Sequence, residues 1–360
     1  METIREYLDM DKNDALSKLL PLLNNSSILE RCKAAKVLGH IFHGTGNDKV
    51  VNGLEILFYN YNREVRESAV KAIAEIFKDN DQLEDKAIEK ITPLIYYYNT
   101  YVQISAVETL SIIFEKRGRL ELIDPLLSLF NSSLFVRDSA VKAITRIFKG
   151  TSNQMTVYNR LIKLMKHENK YVRLSVIETI GYLFAKSKNI KIAKELLKYI
   201  NDDEIAIKKS IIEAITLILK ETNSQEVLDM LEPLLWSDSQ NIRYFVIKAF
   251  GEIFYQSNNQ KVIEDLKNLL ETSDKFVRIA SIRAIGKVSI VNKTDLTRFL
   301  SQYLDDKDDD VKRAAAEVIA NNCEQFINEN IKIKFKKLLS SNDWKLQRSI
   351  ETLVRKYGIL

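Results

Sequence analysis

A 13-residue stretch that occurs twice constrains the fold of this chain more than any other feature. The sequence VRESAVKAIAEIF at residues 65–77 returns as VRDSAVKAITRIF at residues 136–148, with ten of thirteen positions identical. When the chain is aligned on the first residue of this stretch, called the anchor here, ten units appear at spacings of 34–37 residues. A period of this length predicts stacked supersecondary units, each burying its apolar face against its neighbours. The anchors are Glu30, Val65, Val102, Val136, Val172, Ile207, Ile242, Val277, Val311 and Leu346.

The columns around the anchor predict a helix in every unit. Three residues before the anchor, nine of ten positions hold Ser, Asn or Asp, whose side chains accept hydrogen bonds from the free amides of a first helical turn; the exception is Glu204. Positions four, eight, eleven and twelve after the anchor are mostly apolar and fall on one helical face. A helix is therefore expected to start at each anchor, with this face in the core. The nine N-cap candidates are Ser27, Asn62, Asn99, Ser133, Asn169, Ser239, Asp274, Asp308 and Asp343.

A second amphipathic stretch, such as LIDPLLSLF at residues 122–130, precedes each of these helices, so each unit is predicted to be a helix, a turn and a second helix. Nine residues after the anchor the column is small, as at Gly39 and Gly251, which lets neighbouring helices approach closely. The last unit has Arg355 there, which indicates that nothing packs beyond it, as the end of a solenoid requires.

The pattern resembles the HEAT-repeat family, including its phycobilisome-lyase-type HEAT-like members. First helices carry Pro21, Pro93, Pro125 and Pro233, and several second helices open with Val-Arg, as at Val65-Arg66. The resemblance implies an all-α, right-handed α-α superhelix of about ten repeats. We expect one solenoid over residues 1–360, with 1–10 as a possible N-terminal capping helix and about 325–360 as the C-terminal capping repeat.

The chain departs from the family at the intra-repeat Asp, five residues before the anchor. The residues there include Asn60, Tyr97, Asn131, His167, Asp202 and Ser237, so the Asp–Arg ladder that the family uses between repeats does not follow from the resemblance.

Composition and charge give no indication of a nucleic-acid-binding, secreted or membrane protein. The net charge of +5 over 360 residues does not by itself imply a nucleic-acid or membrane partner. Two distant cysteines form no disulfide framework, the opening METIREYLDMDKND has no apolar core of signal-peptide length, and no window reaches the ~18 apolar residues of a membrane span. A cytoplasmic protein without a membrane partner is expected.

The chain has three histidines, which leaves few possible ligands for a metal ion. His40 and His43 face one way, and with Glu75 from the next repeat they could hold zinc. Cys32 shares their face but lies eight residues back, ~12 Å along the helix axis, too far to share an ion with His40. We favour exposed polar side chains and expect no metal and no cofactor.

Other enzyme classes lack their residues. HEAT-like deoxyhypusine hydroxylases hold iron with several His-Glu pairs, whereas this chain has the single pair His167-Glu168. AAKVLG at residues 34–39 would suit a phycobilin lyase, but it is generic helix packing. HGTGND at residues 43–48 matches no phosphate-binding loop. We expect no catalysis, and a lyase or other enzyme built on the repeats is the third interpretation.

Nucleic-acid binding is the second interpretation, because HEAT-like alkylpurine glycosylases bind DNA in their groove. IKIKFKKLL at residues 331–339 makes the C-terminal end basic, and the residue after the anchor is basic in most repeats. We favour a structural role for that column, as polar contacts between repeats. It consists of Arg31, Arg66, Arg137, Arg173, Lys208, Arg243, Arg278 and Lys312.

The first interpretation is a scaffold or adaptor that binds a protein or peptide partner. Second helices line the concave surface of HEAT arrays, and their positions two, six and ten after the anchor face away from the core. Along the array these positions are apolar and aromatic in the middle and basic toward the C-terminus, which suits a partner with an apolar face and acidic flanks. The alternative is that the position two after the anchor is covered by the next repeat. The predicted contact residues are Ile104, Ile112, Leu174, Tyr182, Leu217, Tyr244, Lys248, Ile279, Arg283, Lys287, Arg313 and Arg348.

Overall fold

The computed structural model describes residues 7, 10–272, 274–289, 293–323 and 327–359, without the side chains of residues 322 and 323. These residues form α-helices, short 3-10 helices and turns, with no strand among them. The predicted capping helix over 1–10 lies almost wholly outside the described residues.

In the described part of the chain, twenty α-helices alternate between the first and second positions of ten repeats. The first helices are α1 (Lys12–Leu19), α3 (Asp48–Glu55), α5 (Glu84–Ile91), α7 (Ile123–Ser128), α9 (Gln154–Lys163), α11 (Ile190–Leu197), α13 (Gln225–Leu235), α15 (Gln260–Asn268), α17 (Lys293–Ser301) and α19 (Glu329–Leu339). The second helices are α2 (Ile28–Ile41), α4 (Arg63–Phe77), α6 (Thr100–Ile113), α8 (Leu134–Phe148), α10 (Lys170–Leu183), α12 (Ile205–Leu219), α14 (Gln240–Ile253), α16 (Lys275–Val288), α18 (Asp309–Cys323) and α20 (Trp344–Tyr357).

The chain divides into two compact units, Met1–Leu183 and Phe184–Leu360. Within the first unit, α2, α4, α6, α8 and α10 pack side by side in chain order, and within the second, α12, α14, α16, α18 and α20 do the same. First helices pack on the second helices of their own repeats. The prediction of stacked helix-turn-helix repeats is confirmed; that all ten form one solenoid over 1–360 stays a prediction.

Polar side chains cap the second helices as expected. Asn62 Oδ1 accepts a hydrogen bond from the Val65 amide at 3.2 Å, and Asp343 Oδ1 accepts one from the Leu346 amide at 2.6 Å. Ser133 and Glu204 make no such side-chain bond. The second helices begin directly after the cap, two residues before the anchor and not at the anchor as expected.

The small column brings neighbouring second helices together. A Cβ added to Gly39 would lie 2.7 Å from the Ala72 Cα of the next repeat, closer than side chains pack. Beside it, the apolar face is buried as predicted; Ile73 and Ile76, for example, have no exposed surface. Arg355, at the end of this column, is exposed.

Inter-repeat turns use left-handed backbone in a repeated way. Gly44 and Gly46 have φ of +64° and +58°, and their amides donate to the carbonyls of Glu75 and Ile76 at 3.1 and 2.9 Å. These carbonyls belong to the last turn of the next repeat's second helix, where no helical amide is available. The turn therefore caps its neighbour. The same pair of bonds is made by Lys116 and Gly118, by Lys186 and Lys188, and by Gln256 and Asn258.

The basic column after the anchor holds the turn of its own repeat. Arg66 Nη1 donates to the carbonyls of Asn60 and Tyr61 at 2.7 and 2.9 Å, and Arg173 and Arg243 bond their own turns in the same way. Their side chains thus fold back over their own turn, and the Arg66 guanidinium also lies 4.2 Å from the centre of the Tyr101 ring of the next repeat. A role between repeats stays a prediction for this column.

Arg278, in the same column, makes an ion pair with the next repeat. Besides its own turn it reaches Asp306 of the next repeat, Nη2 to Oδ1 at 3.1 Å, with both side chains nearly buried. Asp306 stands five residues before its anchor, Val311, at the position of the intra-repeat Asp of the HEAT family. This contact is therefore an Asp–Arg pair of the kind that the family forms between repeats.

Candidate functional site

The second unit contains a cavity of about 710 Å³ lined mainly by second helices. We call it the groove. Four consecutive second helices, α12, α14, α16 and α18, supply most of its wall, because the solenoid places the corresponding face of each one beside the next. Its apolar floor includes Ile212, Phe245, Ile279 and Val318.

Five of the twelve predicted contact residues line the groove, namely Tyr244, Lys248, Ile279, Arg283 and Lys287. Tyr244 and Ile279 are half-buried and the three cations are exposed. The structure thus brings together the predicted residues of repeats seven and eight, with aromatic, aliphatic and basic groups around one space.

The other predicted residues of the second unit lie outside the groove lining. Leu217 is 36% exposed and Arg348 is exposed. Arg313 is half-buried and bonds Asp310, Nη2 to Oδ1 at 2.6 Å. Their role in binding stays a prediction.

Two ion pairs join neighbouring helices along the groove. Lys287 Nζ lies 2.6 Å from Glu252 Oε1, and Arg283 Nη2 lies 2.9 Å from Glu317 Oε2. Burial alone would raise the pKa of Glu252, but Lys287 and Lys220 outweigh it and hold that pKa below its ordinary value. Glu252 is therefore ionised at neutral pH.

Lys248 is an exposed cation of the groove wall. Among the described residues it forms no ion pair, and its Nζ lies 5.5 Å from the centre of the Tyr244 ring. The lining holds four cations, including Lys248 and Lys293, against three carboxylates, Glu213, Glu252 and Glu317. The surplus positive charge favours an acidic group on whatever enters.

The predicted contact residues of the first unit are also partly exposed. Ile104, Ile112 and Leu174 are half-buried, and Tyr182 is 40% exposed. Burial, with the neighbouring Glu178 carboxylate, raises the pKa of Tyr182, so its hydroxyl stays protonated at neutral pH. Binding by these four residues stays a prediction.

Two aromatic residues of the groove are not among the predicted contact residues. Phe245 stands three residues after its anchor, where almost every other repeat has Ser or Ala, and this exception to a small column was the available signal. Tyr255 follows α14, is 42% exposed and lines the groove from the inter-repeat turn. It lies beyond the helix face that the periodicity described.

The histidine cluster consists of hydrogen-bonded surface groups. His43 Nδ1 lies 2.9 Å from Glu75 Oε2 and its Nε2 lies 3.2 Å from Asp79 Oδ2. Over the described part of the chain no three His, Cys, Asp or Glu side chains are grouped for a metal. Cys32, which the sequence placed on the same helix face as His40, is buried.

The basic C-terminal end is partly neutralised. Lys334 Nζ lies 2.8 Å from Asp305 Oδ2, and Lys337 Nζ lies 3.7 Å from Asp305 Oδ1. Lys332 pairs with Glu329 at 2.8 Å, while Lys336 remains exposed. Among the helices that the structure describes, none is long and apolar enough to cross a membrane.

The stacked helical pairs, with a groove lined by their second helices, define an α-solenoid of the HEAT-repeat class. The model of the Adaptin N terminal region family matches residues 17–339, and the chain belongs to this family. The resemblance to HEAT repeats is thereby confirmed.

One solved structure agrees with this fold. A mutant of the HEAT-repeat protein Kap121p superposes with a TM-score of 0.66 at 13% identity, over 98% of this chain and 43% of that one. This chain thus spans less than half the length of Kap121p. An engineered protein is 18% identical over 96% of this chain and 99% of its own, with a TM-score of 0.38. No curated protein sequence matches significantly.

Proposed function

We propose that this chain is a non-enzymatic scaffold that binds a protein or peptide partner in the groove of its second unit. Solenoids of the adaptin and karyopherin type are scaffold families without catalytic activity, which supports the general class. The observation that carries the specific proposal is the groove itself, a cavity of about 710 Å³ with an apolar floor and the exposed cation Lys248 at its wall.

The chemistry of the groove supports one kind of partner. Half-buried Phe245 and Ile279 offer apolar surface to side chains of a partner segment, and half-buried Tyr244 is a residue type common at energetic centres of interfaces. Lys248 would pair with a carboxylate at the edge of that apolar contact. An amphipathic helix or peptide with acidic flanks fits this combination.

We propose that the partly exposed residues of the first unit, Ile104, Ile112, Leu174 and Tyr182, contact a partner in their own right. We also propose one continuous solenoid, capped over about 325–360, and a cytoplasmic location. Nucleic-acid binding has weaker support, because Asp305 already pairs with two lysines of the basic end.

A capture experiment tests the groove. The intact wild-type chain and the double variant Tyr244→Ala, Ile279→Ser are used to capture partners from the native source, which mass spectrometry identifies. A partner enriched by the wild type should be bound at least ~30-fold more weakly by the variant, the effect of losing one hot-spot side chain. Its affinity for Lys248→Glu should also fall, most strongly at low salt.

Phe276→Ser provides the matched control, because Phe276 lies on α16 with Ile279 but is 56% exposed and outside the groove lining. Equal affinity of the partner for wild type and the double variant, with both chains folded by circular dichroism, would refute binding in the groove.

A further inference from the structure

The first unit has an exposed aromatic surface that is separate from the predicted contact residues. It lies at the turns between first and second helices in repeats two and three, where the sequence runs FYNYN and YYYNTY. Tyr61 and Tyr98 are 79% and 87% exposed, far more than a packed tyrosine. We call this surface the tyrosine edge; it consists of Tyr59, Tyr61, Tyr96, Tyr97, Tyr98 and Tyr101.

Four rings of the tyrosine edge are ordered by contacts with one another or with Arg66. Tyr97 and Tyr98 stack with centroids 4.9 Å apart, and Tyr59 meets Tyr97 edge to face at 5.6 Å. The Arg66 guanidinium of repeat two lies 4.2 Å from the centre of the Tyr101 ring of repeat three. Because these contacts fix the four rings before any partner arrives, their share of the side-chain entropy lost on binding would be small.

The tyrosine edge is almost uncharged. Residues 59–62 and 96–103 contain no charged side chain. Arg66 donates from Nη1 to the carbonyls of Asn60 and Tyr61 and lies over the Tyr101 ring, and the neighbouring Arg63 pairs with Glu67, Nε to Oε1 at 2.7 Å. Phosphate or an acidic peptide would find no free row of cations here, whereas an uncharged segment would lose no ionic hydration.

We propose that the tyrosine edge binds an extended, proline-rich segment of a partner protein. Such a segment adopts a polyproline II helix that has no internal hydrogen bonds and leaves its carbonyls free. Proline rings pack on aromatic faces, and tyrosine hydroxyls can donate to the free carbonyls. The surface and the ligand are therefore both uncharged, pre-ordered and complementary in hydrogen bonding.

A fluorescein-labelled ten-residue polyproline peptide tests this proposal by fluorescence anisotropy with the full chain. Saturable binding is expected, with no binding of a Gly-Ser peptide of equal length. The double variant Tyr61→Ala, Tyr98→Ala should weaken binding at least ~10-fold, because aromatic contacts dominate such interfaces. Both side chains are highly exposed, so the variant should keep its helical circular dichroism and melting temperature.

Trp236→Ala is the matched control, since Trp236 is an exposed aromatic residue (51%) in the second unit and should not affect polyproline binding. The proposal fails if polyproline does not bind, or if the double variant binds it as the wild type does. Tighter binding of labelled oligothymidine than of polyproline at the tyrosine edge would replace it with a nucleic-acid surface. Self-association of the wild type that the double variant abolishes would replace it with an interface between two copies.

Discussion

The replacement of Gly39 by Ala tests whether the small column sets the spacing of the repeats. The added Cβ would lie 2.7 Å from the Ala72 Cα, about 0.7 Å short of ordinary contact, and the nearest atoms are backbone or Cβ that no rotamer change can move. Overpacking of this kind costs about 1–3 kcal/mol, and the upper end applies because α2 and α4 must separate. Replacing a helical glycine returns about 1 kcal/mol. A net loss of about 2 kcal/mol is expected.

Gly251→Ala is the matched control, because it makes the same chemical change in the same column. Its Cβ would lie 3.3 Å from the Ala284 Cα and 3.2 Å from the Lys287 Cδ, and the lysine chain can move aside. The gain in helix propensity should then equal or exceed the crowding, so this variant should be as stable as wild type or up to about 1 kcal/mol more stable.

Hydrogen exchange with mass spectrometry is the suitable assay, since a repeat array need not unfold in one step. In Gly39→Ala, amides of α2 and α4 should lose roughly 30-fold in protection, the equivalent of 2 kcal/mol, while those of the second unit stay unchanged. Unchanged or greater protection in α2 and α4 would refute the view that close helix approach requires a glycine at this position.

Four further outcomes are expected. Ile253→Ala should cost about 2–5 kcal/mol in urea unfolding by leaving a cavity, whereas Leu217→Ser should stay within about 0.5 kcal/mol; equal losses would place Leu217 in the core. Glu252→Gln should lower the melting temperature at pH 7. Because the pKa of Glu252 is held below its ordinary 4.5, this stabilisation is present above that pH and fades as the pH falls below it; a difference that persists in acid would contradict the ion-pair account. Lys188→Gly should stabilise by up to about 1 kcal/mol by relieving a φ of +57°, and Lys188→Ala, which keeps that strain, should not; equal melting temperatures of the two variants would count against it. If the C-terminal end does bind duplex DNA, affinity should fall with salt by a log–log slope of about −0.9 per phosphate contact, and Arg348→Glu should reduce that slope; a salt-independent affinity would exclude this mode.

The repeat could be predicted from the sequence because its period, caps and small column are local signals. Asn62 caps its helix and Ile73 is buried, as their positions relative to the anchor imply. Both outcomes depend only on the geometry of a single helix. The direction of Arg66 could not be predicted, because the same offset permits a bond to its own turn or to the next repeat. The choice depends on the path of the turn.

The candidate groove was predictable only in outline. Tyr244 and Ile279 could be predicted because they lie on the helix face opposite the core. Phe245 could not, because its column is otherwise small, and Tyr255 could not, because it lies in a turn after the helix. The sequence YYYNTY shows that aromatic residues cluster there, but they lie at helix starts, where the helical periodicity does not predict which side chains are exposed. Surfaces formed by turns need coordinates, because their side chains follow no fixed period.

The hydrogen bonds from inter-repeat turns to neighbouring helix ends bear on how the chain folds. Each such bond joins residues about one repeat apart, as Gly44 to Glu75 does, and helix packing within each unit likewise joins neighbouring repeats. The average loop closed on forming a native contact is therefore short relative to 360 residues. Low relative contact order favours rapid folding, and a nucleus can form at any adjacent pair of repeats and extend in both directions. The same locality lets an end repeat detach while its neighbours stay folded, so truncation or pulling at one end should remove structure in increments of one repeat.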